Sequence, residues 1–378
     1  PTEFLTTDPR DILDNPEVHQ LIEVIGGEYP ASQYIREALN RGKHVVTANK
    51  EVMAKHGPEL ITLAAAKKVN LLFEASVGGG IPIVGPLMKD LLANNICSIH
   101  AIINGTTNYI LTRMARDRVD FSEALREAQE QGFAEADPTN DIEGTDAAYK
   151  LAVLASLAFH TRVHADDVYR EGISRLQAQD FRYAQELGYT IKLLAIARQD
   201  GASVQVRVHP AFVPQEHMLA KVDGVFNAVE VEGDLTGRVL FHGMGAGQNP
   251  TTSAVIGNVV EIAREISSGS EPIPITEPGK SYTIAPMTNL ISRYYLRLTL
   301  ADQAGVLAQI ARILGNLNIS IASVIQKDTN PETQTAEVVV TTHPAREEAM
   351  QESLKRIKSL EVIREINNLV RVEDLPLG

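Results

Sequence analysis

The chain has one cysteine, Cys97, in 378 residues, so no disulfide can form within it and a reducing compartment, the cytoplasm, is the expected setting. In the apolar–polar pattern around Ile96–Ile99, Cys97 itself reads as a buried small hydrophobe and not as a nucleophile. No apolar run approaches the roughly 20 residues that cross a bilayer, and no signal-peptide pattern opens the chain. Positive charge is scarce. The net charge of −13 at pH 7 argues against nucleic acid and anionic membranes as partners. The ten histidines are scattered and no zinc site is expected from them; no Ser/His/Asp or Cys/His grouping is legible either. What is present, 44% hydrophobic and 22% charged residues, is the composition of a soluble globular protein of two or three domains.

The opening also lacks something. Leu21–Ile25 reads as a buried strand, yet only the loop-like Thr6-Thr7-Asp8-Pro9 and a short helix ended by Asn15-Pro16 precede it. An α/β domain needs flanking strands there, so a segment before Pro1 is expected in the native protein. Apolar runs at Leu21–Ile25, His44–Thr47 and Val69–Ala75 alternate with helical stretches at Ala31–Asn40 and Pro58–Lys68, the second opening with Pro58 in its first turn. Such alternation means βαβ units and a parallel sheet, the back half of a doubly wound α/β domain over residues 1–80.

Gly78-Gly79-Gly80-Ile81-Pro82 breaks the pattern. Helices are then expected at Pro82–Ala93, Asn108–Arg116, Phe121–Gln131, Thr145–Phe159 and Ala178–Leu187. Strands are expected at Ile96–Ile103, Ile191–Ala197, Val204–His209, Val225–Val231 and Gly237–Phe241. Strands that follow one another without crossover helices give an α+β unit with an antiparallel sheet over residues 81–242. A helix at Thr251–Ile266 follows Gly243–Gly247, and this 243–266 segment completes the first unit. Ser267-Ser268-Gly269-Ser270 with Pro272, Pro274 and Pro278 marks a linker, 267–290. Residues 291–378 have their own βαββαβ order: Tyr294–Leu300, Val306–Leu317, Ile319–Gln326, Ala336–Thr342, Arg346–Ile357 and Val362–Val370. That order gives a small separate sheet with both helices on one face.

Chemistry concentrates in Gly132–Lys150. Glu135, Asp137, Asp141 and Glu143 fall in an irregular stretch, and Asp146 and Lys150 then stand four apart on one helix face. A lysine flanked by carboxylates can hold a proton and present it to an oxyanion; a solvated ion pair at a helix end is the plainer alternative. Asn108 is placed to cap its helix. Lys50 ends a strand–loop at the carboxyl edge of the parallel sheet, where doubly wound folds bind nucleotides, or is simply solvated. Gly78–Gly80 is either a hinge or a run of carbonyls able to ligate a hard cation.

Gly132–Lys150 closely resembles homoserine dehydrogenase, together with Val46-Thr47-Ala48-Asn49-Lys50, Phe73-Glu74-Ala75-Ser76-Val77-Gly78-Gly79-Gly80-Ile81-Pro82 and Asn104-Gly105-Thr106-Thr107-Asn108-Tyr109-Ile110-Leu111. The likeness covers Gly26 to Gly269. The last segment resembles an ACT domain, whose turn appears as Asp302-Gln303-Ala304-Gly305-Val306-Leu307. The resemblance implies a partial Rossmann domain, an α+β substrate and dimerisation domain, and a ferredoxin-like ACT regulatory domain. It implies reversible NAD- or NADP-dependent reduction of L-aspartate 4-semialdehyde to L-homoserine, on the route to threonine, methionine and isoleucine. By the same resemblance Lys150 is the proton donor, Asp146 holds it and the substrate hydroxyl, and Glu135 binds the substrate's amino group with Asp141 nearby. Lys50, Gly132, Gly247, Gly26 and Gly27 contact the cofactor. Glu74, Val77, Gly79 and Ile81 form a monovalent-cation site, sodium by expectation. Asp302, Gly305, Val306, Leu307 and Asn318 meet an amino-acid effector, threonine by expectation, and ACT pairing implies a homodimer or homotetramer.

The departure is the Gly-x-Gly-x-x-Gly turn, which does not precede Leu21. Two rivals therefore stand: another NAD(P)-dependent amino-acid dehydrogenase, and a catalytically inactive amino-acid sensor. Joint retention of Glu135, Asp146 and Lys150 speaks against the second.

Overall fold

A computed structural model describes residues 5–272 and 282–376. After a short α1 (Arg10–Leu13), β1 (Gln20–Glu23), α2 (Ala31–Asn40), β2 (His44–Thr47), α3 (Lys50–Lys67) and β3 (Leu71–Leu72) form a three-stranded parallel sheet in the order β1-β2-β3. The parallel α/β expectation holds, with one helix longer than its sequence suggests. The α3 helix begins at Lys50, eight residues before Pro58, because Asn49 caps it: its side chain accepts the Val52 N–H at 3.1 Å. Val52, Met53 and Ala54 are buried on its inner face, and that packing outweighs the preference of proline for a first turn. The third run, expected as a strand over Val69–Ala75, is strand only at Leu71–Leu72 and turns into a 3-10 helix at Glu74–Ser76.

Next come α4 (Val84–Met88), β4 (Ile96–Ile102), α5 (Gly105–Asp117), α6 (Phe121–Glu130), α7 (Thr139–Ile142), α8 (Thr145–Ala158), β5 (Tyr169–Arg170), α9 (Ala178–Glu186), β6 (Tyr189–Asp200), β7 (Ser203–Pro214), β8 (Phe226–Gly233) and β9 (Gly237–Met244). The α4 helix is shorter than the expected Pro82–Ala93. β4, β6, β7, β8 and β9 pair antiparallel, as expected. α8 is apolar nearly all round, with Ala147, Ala148, Leu151, Ala152, Leu154 and Ala155 buried, as a helix inside a core must be. Cys97 is exposed, contrary to its expected burial: β4 alternates at that point and turns Ile96 and Ser98 inward. His160 and His164 have an HxxxH spacing, but they follow the end of α8 and His160 is left-handed at φ 47°. No group of His, Cys, Asp or Glu arranged to hold a metal occurs among the described residues.

α10 (Gln248–Ser268) packs back on the first sheet through Val255 and Ile262, beside Val46. Of the expected linker, residues 273–281, with Pro274 and Pro278, lie outside the described residues, as do 1–4 and 377–378 at the ends of the first and last expected units. The chain then runs through β10 (Thr283–Ile284), β11 (Ile291–Ala301), α11 (Val306–Asn316), β12 (Ile321–Asn330), β13 (Thr335–Thr342), β14 (Ala345–Arg346), α12 (Glu347–Lys358) and β15 (Ile363–Val372). The βαββαβ order is present, with sheet order β12-β13-β11-β15.

That sheet is not separate from the rest. β6 covers one edge of β7 along twelve residue pairs. The other edge is filled by three short parallel segments in succession: β10 on Ser203–Val204, β5 on Arg207–Val208, and β15 on Ala211–Phe212. One sheet of twelve strands therefore runs through both units.

Buried ions stitch the seam. Arg297 of β11 forks onto Asp180 of α9 at 2.8 and 3.3 Å and reaches Glu337 at 2.9 Å, and Arg207 of β7 meets Glu373 at 2.9 Å. Burial of such ions offsets much of their attraction, so the pairs add little net stability while each partner keeps the other's charge satisfied. His209, fully buried beside Arg207, is pushed down to about 3 by burial, then by Arg371 and Arg207. Burial likewise pushes His100 down to about 4. Both bind fewer protons folded than unfolded below their ordinary value of 6.5, so folding stability must fall as pH drops from 6.5 toward 4. Glu373, held down to about 2 by Arg207 against burial, extends the loss from 4.5 to about 2. Denaturant unfolding across this range is expected to show a midpoint that falls steadily below pH 6.5; a flat profile down to pH 4.5 would contradict the assignment of His100 and His209 as buried neutral histidines.

Candidate active site

Two backbone caps aim the central side chains. Asn104, at the end of β4, opens α5: its Oδ1 accepts the Thr107 N–H at 2.8 Å. The cap is therefore Asn104 and not Asn108. Asn108 is buried one turn later and donates through Nδ2 to the carbonyls of Val222, Gly224 and Phe226. Gly144, left-handed at φ 77°, turns the chain from α7 into α8.

The α8 register brings Asp146 and Lys150 together as their spacing requires. Lys150 Nζ donates to Asp146 Oδ2 at 2.7 Å and to the Ile103 carbonyl at 2.8 Å. An ammonium has three N–H bonds; the third has no acceptor among the described residues. Asp146 is 4% exposed and its Oδ1 takes Lys50 from across the cleft. Asn104, with its Oδ1 fixed by the cap, turns Nδ2 between two carboxylates, Asp146 Oδ2 at 3.0 Å and Asp141 Oδ1 at 2.7 Å. Sequence reasoning did not single out Asn104 as a site residue. The signal available was an N-cap type directly after a buried strand.

Burial alone would raise the Asp146 carboxyl, yet Lys150 and Lys50 hold it well below the usual carboxylate range. Lys50 is raised: burial works against its charge, and Asp146, Asp141 and Glu135 outweigh that burial. Those three carboxylates thus act on one cation that α3 carries in from the parallel-sheet unit. Glu135 is exposed on the loop after α6, which Thr106 Oγ1 ties to the first turn of α5 through the Phe133 carbonyl at 2.7 Å. The site lies where the two units meet, with one lysine from each and carboxylates between them.

The expected cofactor glycines lie at loop ends. Gly26, Gly27 and Gly132 have φ of 81°, 71° and 74°, and nothing stands within 4 Å of where a Cβ would project. The Asn49 side chain fixes the Gly27 carbonyl at 2.7 Å. Gly247, at φ 116°, opens α10. Gly26 and Gly27, just past the carboxyl end of β1, leave the main chain open where doubly wound sheets receive a nucleotide.

The triple-glycine loop packs against this same segment. At Gly79 a Cβ would lie 2.5 Å from the Gly245 carbonyl, and the Gly80 N–H donates to the Met244 carbonyl at 3.1 Å. The Glu74 side chain is engaged by the backbone that follows it. Both of its oxygens accept backbone N–H groups, from Ile83 at 2.6 Å, Val84 at 2.9 Å and Gly85 at 2.7 Å, so it caps α4.

The ACT-like turn places Asp302, Gly305, Val306 and Leu307 together at the start of α11, with Gly305 at φ 89°. Asn318 is not with them. It stands past the other end of that eleven-residue helix, about 16 Å away at 1.5 Å per residue.

Three family models match in order along the chain: the homoserine dehydrogenase NAD binding domain over residues 1–74, homoserine dehydrogenase over 82–260, and the ACT domain over 294–362. The chain is 41% identical to a homoserine dehydrogenase of Neisseria gonorrhoeae, over 99% of this chain and 87% of that one. A homoserine dehydrogenase structure from Thiobacillus denitrificans superposes with a TM-score of 0.92 at 42% identity, covering 99% of this chain and 86% of that one. A hyperthermophilic archaeal homoserine dehydrogenase in complex with NADPH matches 69% of this chain and 76% of its own, at 28% identity and a TM-score of 0.61. With near-complete coverage, the same frame and the same order of segments, the chain belongs to the homoserine dehydrogenase family.

Proposed function

We propose that the protein interconverts L-aspartate 4-semialdehyde and L-homoserine with NAD or NADP, and that Lys150 is the proton donor. The carrying observation is the Lys150 ammonium, held by Asp146 Oδ2 and the Ile103 carbonyl with one N–H left over. That N–H is positioned to meet a carbonyl oxygen as negative charge develops on it, and to transfer its proton there. When bound, the nicotinamide cofactor supplies or accepts the hydride at the adjacent carbon. Asp146 keeps Lys150 charged and oriented. Glu135 and Asp141 take the substrate's ammonium group, for which acidic oxygens at the cleft mouth are suited. Lys50, Gly26, Gly27, Gly132 and Gly247 hold the cofactor.

The same reading gives a monovalent cation to the loop after Glu74. No hydrogen bond within the described residues ends on the carbonyls of Val77, Gly79 or Ile81, which leaves oxygen donors of the right kind. Functionally the chain divides at residues 80, 242 and 290, with 243–266 returning to the first unit. The exposed thiol of Cys97 suits a cytosolic setting. The ACT unit reads an amino acid, threonine in this proposal, at Asp302–Leu307. A site that also used Asn318 would draw it from a second copy, in keeping with a homodimer or homotetramer.

The experiment is homoserine-dependent reduction of NAD and NADP, with and without excess threonine. Turnover with either cofactor, slowed by threonine, is the expected result. No turnover with either overturns the reaction, and a rate indifferent to threonine overturns the effector.

A further inference from the structure

The proposed chemistry leaves unexplained a strap, residues 169–174, that joins the seam to the active site. Its start, β5, sits on the free edge of β7 between β10 and β15. On the seam side, Glu171 Oε2 accepts from Arg371 Nη1 at 2.8 Å. Arg371 is 1% exposed; its Nε and Nη2 grip Glu347, the first residue of α12, at 2.9 and 2.6 Å, and Nη2 also donates to the Tyr169 hydroxyl at 3.3 Å. The Tyr169 hydroxyl reaches Glu171 at 3.2 Å, and its ring lies 5.3 Å from the guanidinium. On the active-site side, the Ile173 N–H donates to the Ile142 carbonyl at 2.9 Å, and Ser174 Oγ donates to Glu143 Oε1 at 2.9 Å. Between them Gly172 leaves no room: a Cβ would lie 2.5 Å from the Ile142 carbonyl and 2.8 Å from Glu143 Cα. From the other side, a Cβ on Gly144 would stand 3.2 Å from Val208 Cγ1 of β7. The hinge 142–144 is therefore clamped between strap and β7, next to Asp141 in the chain and two residues before Asp146.

We propose that Glu171 is a positioning residue. Through Arg371 it ties the strap to the ACT sheet, and through Gly172–Ser174 the strap fixes the hinge that carries Asp141 and Asp146. Close-packed contacts transmit displacement instead of absorbing it, so a shift of β15 or α12 reaches the substrate carboxylates by this route. Asp146 is also held by Asn104 and Lys50, and Lys150 by Ile103, so the effect falls on Asp141 and substrate binding more than on proton transfer. What the two carboxylates bind rests on the proposed reaction; the mechanical tie does not.

The test is Glu171→Gln, a site 31% exposed that tolerates the change and keeps an acceptor for Tyr169. We expect the KM for homoserine to rise about 3- to 10-fold, with kcat within about two-fold. Amide hydrogen exchange at Ile142–Gly144 should accelerate by a similar factor. Asp374→Asn removes the carboxylate charge beside Arg293, 2.8 Å away, while Arg293 keeps its bond to the Tyr189 hydroxyl, and should leave both readouts at the parent's values. Unchanged exchange at 142–144 in Glu171→Gln, or an equal change in Asp374→Asn, overturns the proposal. Exchange is read without turnover, so a parent that fails to oxidise homoserine counts against the reaction and not against the coupling.

Discussion

Replacing Lys150 with Met is expected to lower kcat by about 10²- to 10⁴-fold, the range that a positioned general acid supplies. Methionine keeps the bulk of the side chain at a position 12% exposed, so α8 should stay packed. Asp146 does not become an unpaired buried charge in this variant, because Lys50 and Asn104 still hold it. The loss should therefore appear in kcat, with a thermal midpoint close to the parent's. A variant within ten-fold of the parent would remove Lys150 from the chemistry and leave Lys50 as the cation to test.

Asn104→Asp separates geometry from charge. Aspartate is as good an N-cap as asparagine, so the bond to Thr107 N–H and the start of α5 survive. The amide that donates to Asp141 at 2.7 Å and Asp146 at 3.0 Å becomes a third carboxylate between them. The added negative charge, only partly offset by Lys50 and Lys150, favours uptake of a proton by the cluster as the pH is lowered. We expect kcat/KM at neutral pH to fall about 10²-fold, equivalent to roughly 3 kcal/mol, with partial recovery as the pH is lowered and the extra proton binds. Steady-state kinetics against pH checks this. A uniform loss without recovery would mean that Asn104 acts through the fold and not through the charge of the cluster.

The contacts that are close in sequence were legible in it. The Asp146–Lys150 pair follows from four-residue spacing on a helix, and the parallel and antiparallel sheets follow from the alternation of runs. Long-range placement was not. Lys50 comes to Asp146 from a residue 96 positions earlier, and nothing local marks that meeting. Pro58 hid the true start of α3, since the burial of Val52, Met53 and Ala54 is a tertiary fact. Asn104 and Asn108 are both cap types, and only the end of β4 decides between them. The seam was invisible because three two-residue bridges on one edge of β7 carry no pattern. The ions across it, Arg297 to Asp180 and Arg371 to Glu171, join residues more than a hundred positions apart.

The central claim is that the spare N–H of Lys150 meets the oxygen that changes between carbonyl and hydroxyl. A crystal structure with homoserine and oxidised cofactor bound tests it most directly. The account predicts the homoserine hydroxyl within about 3.2 Å of Lys150 Nζ, with the substrate ammonium among Glu135 and Asp141. A hydroxyl directed at Lys50, with Lys150 still closed onto Asp146 and Ile103, would contradict it.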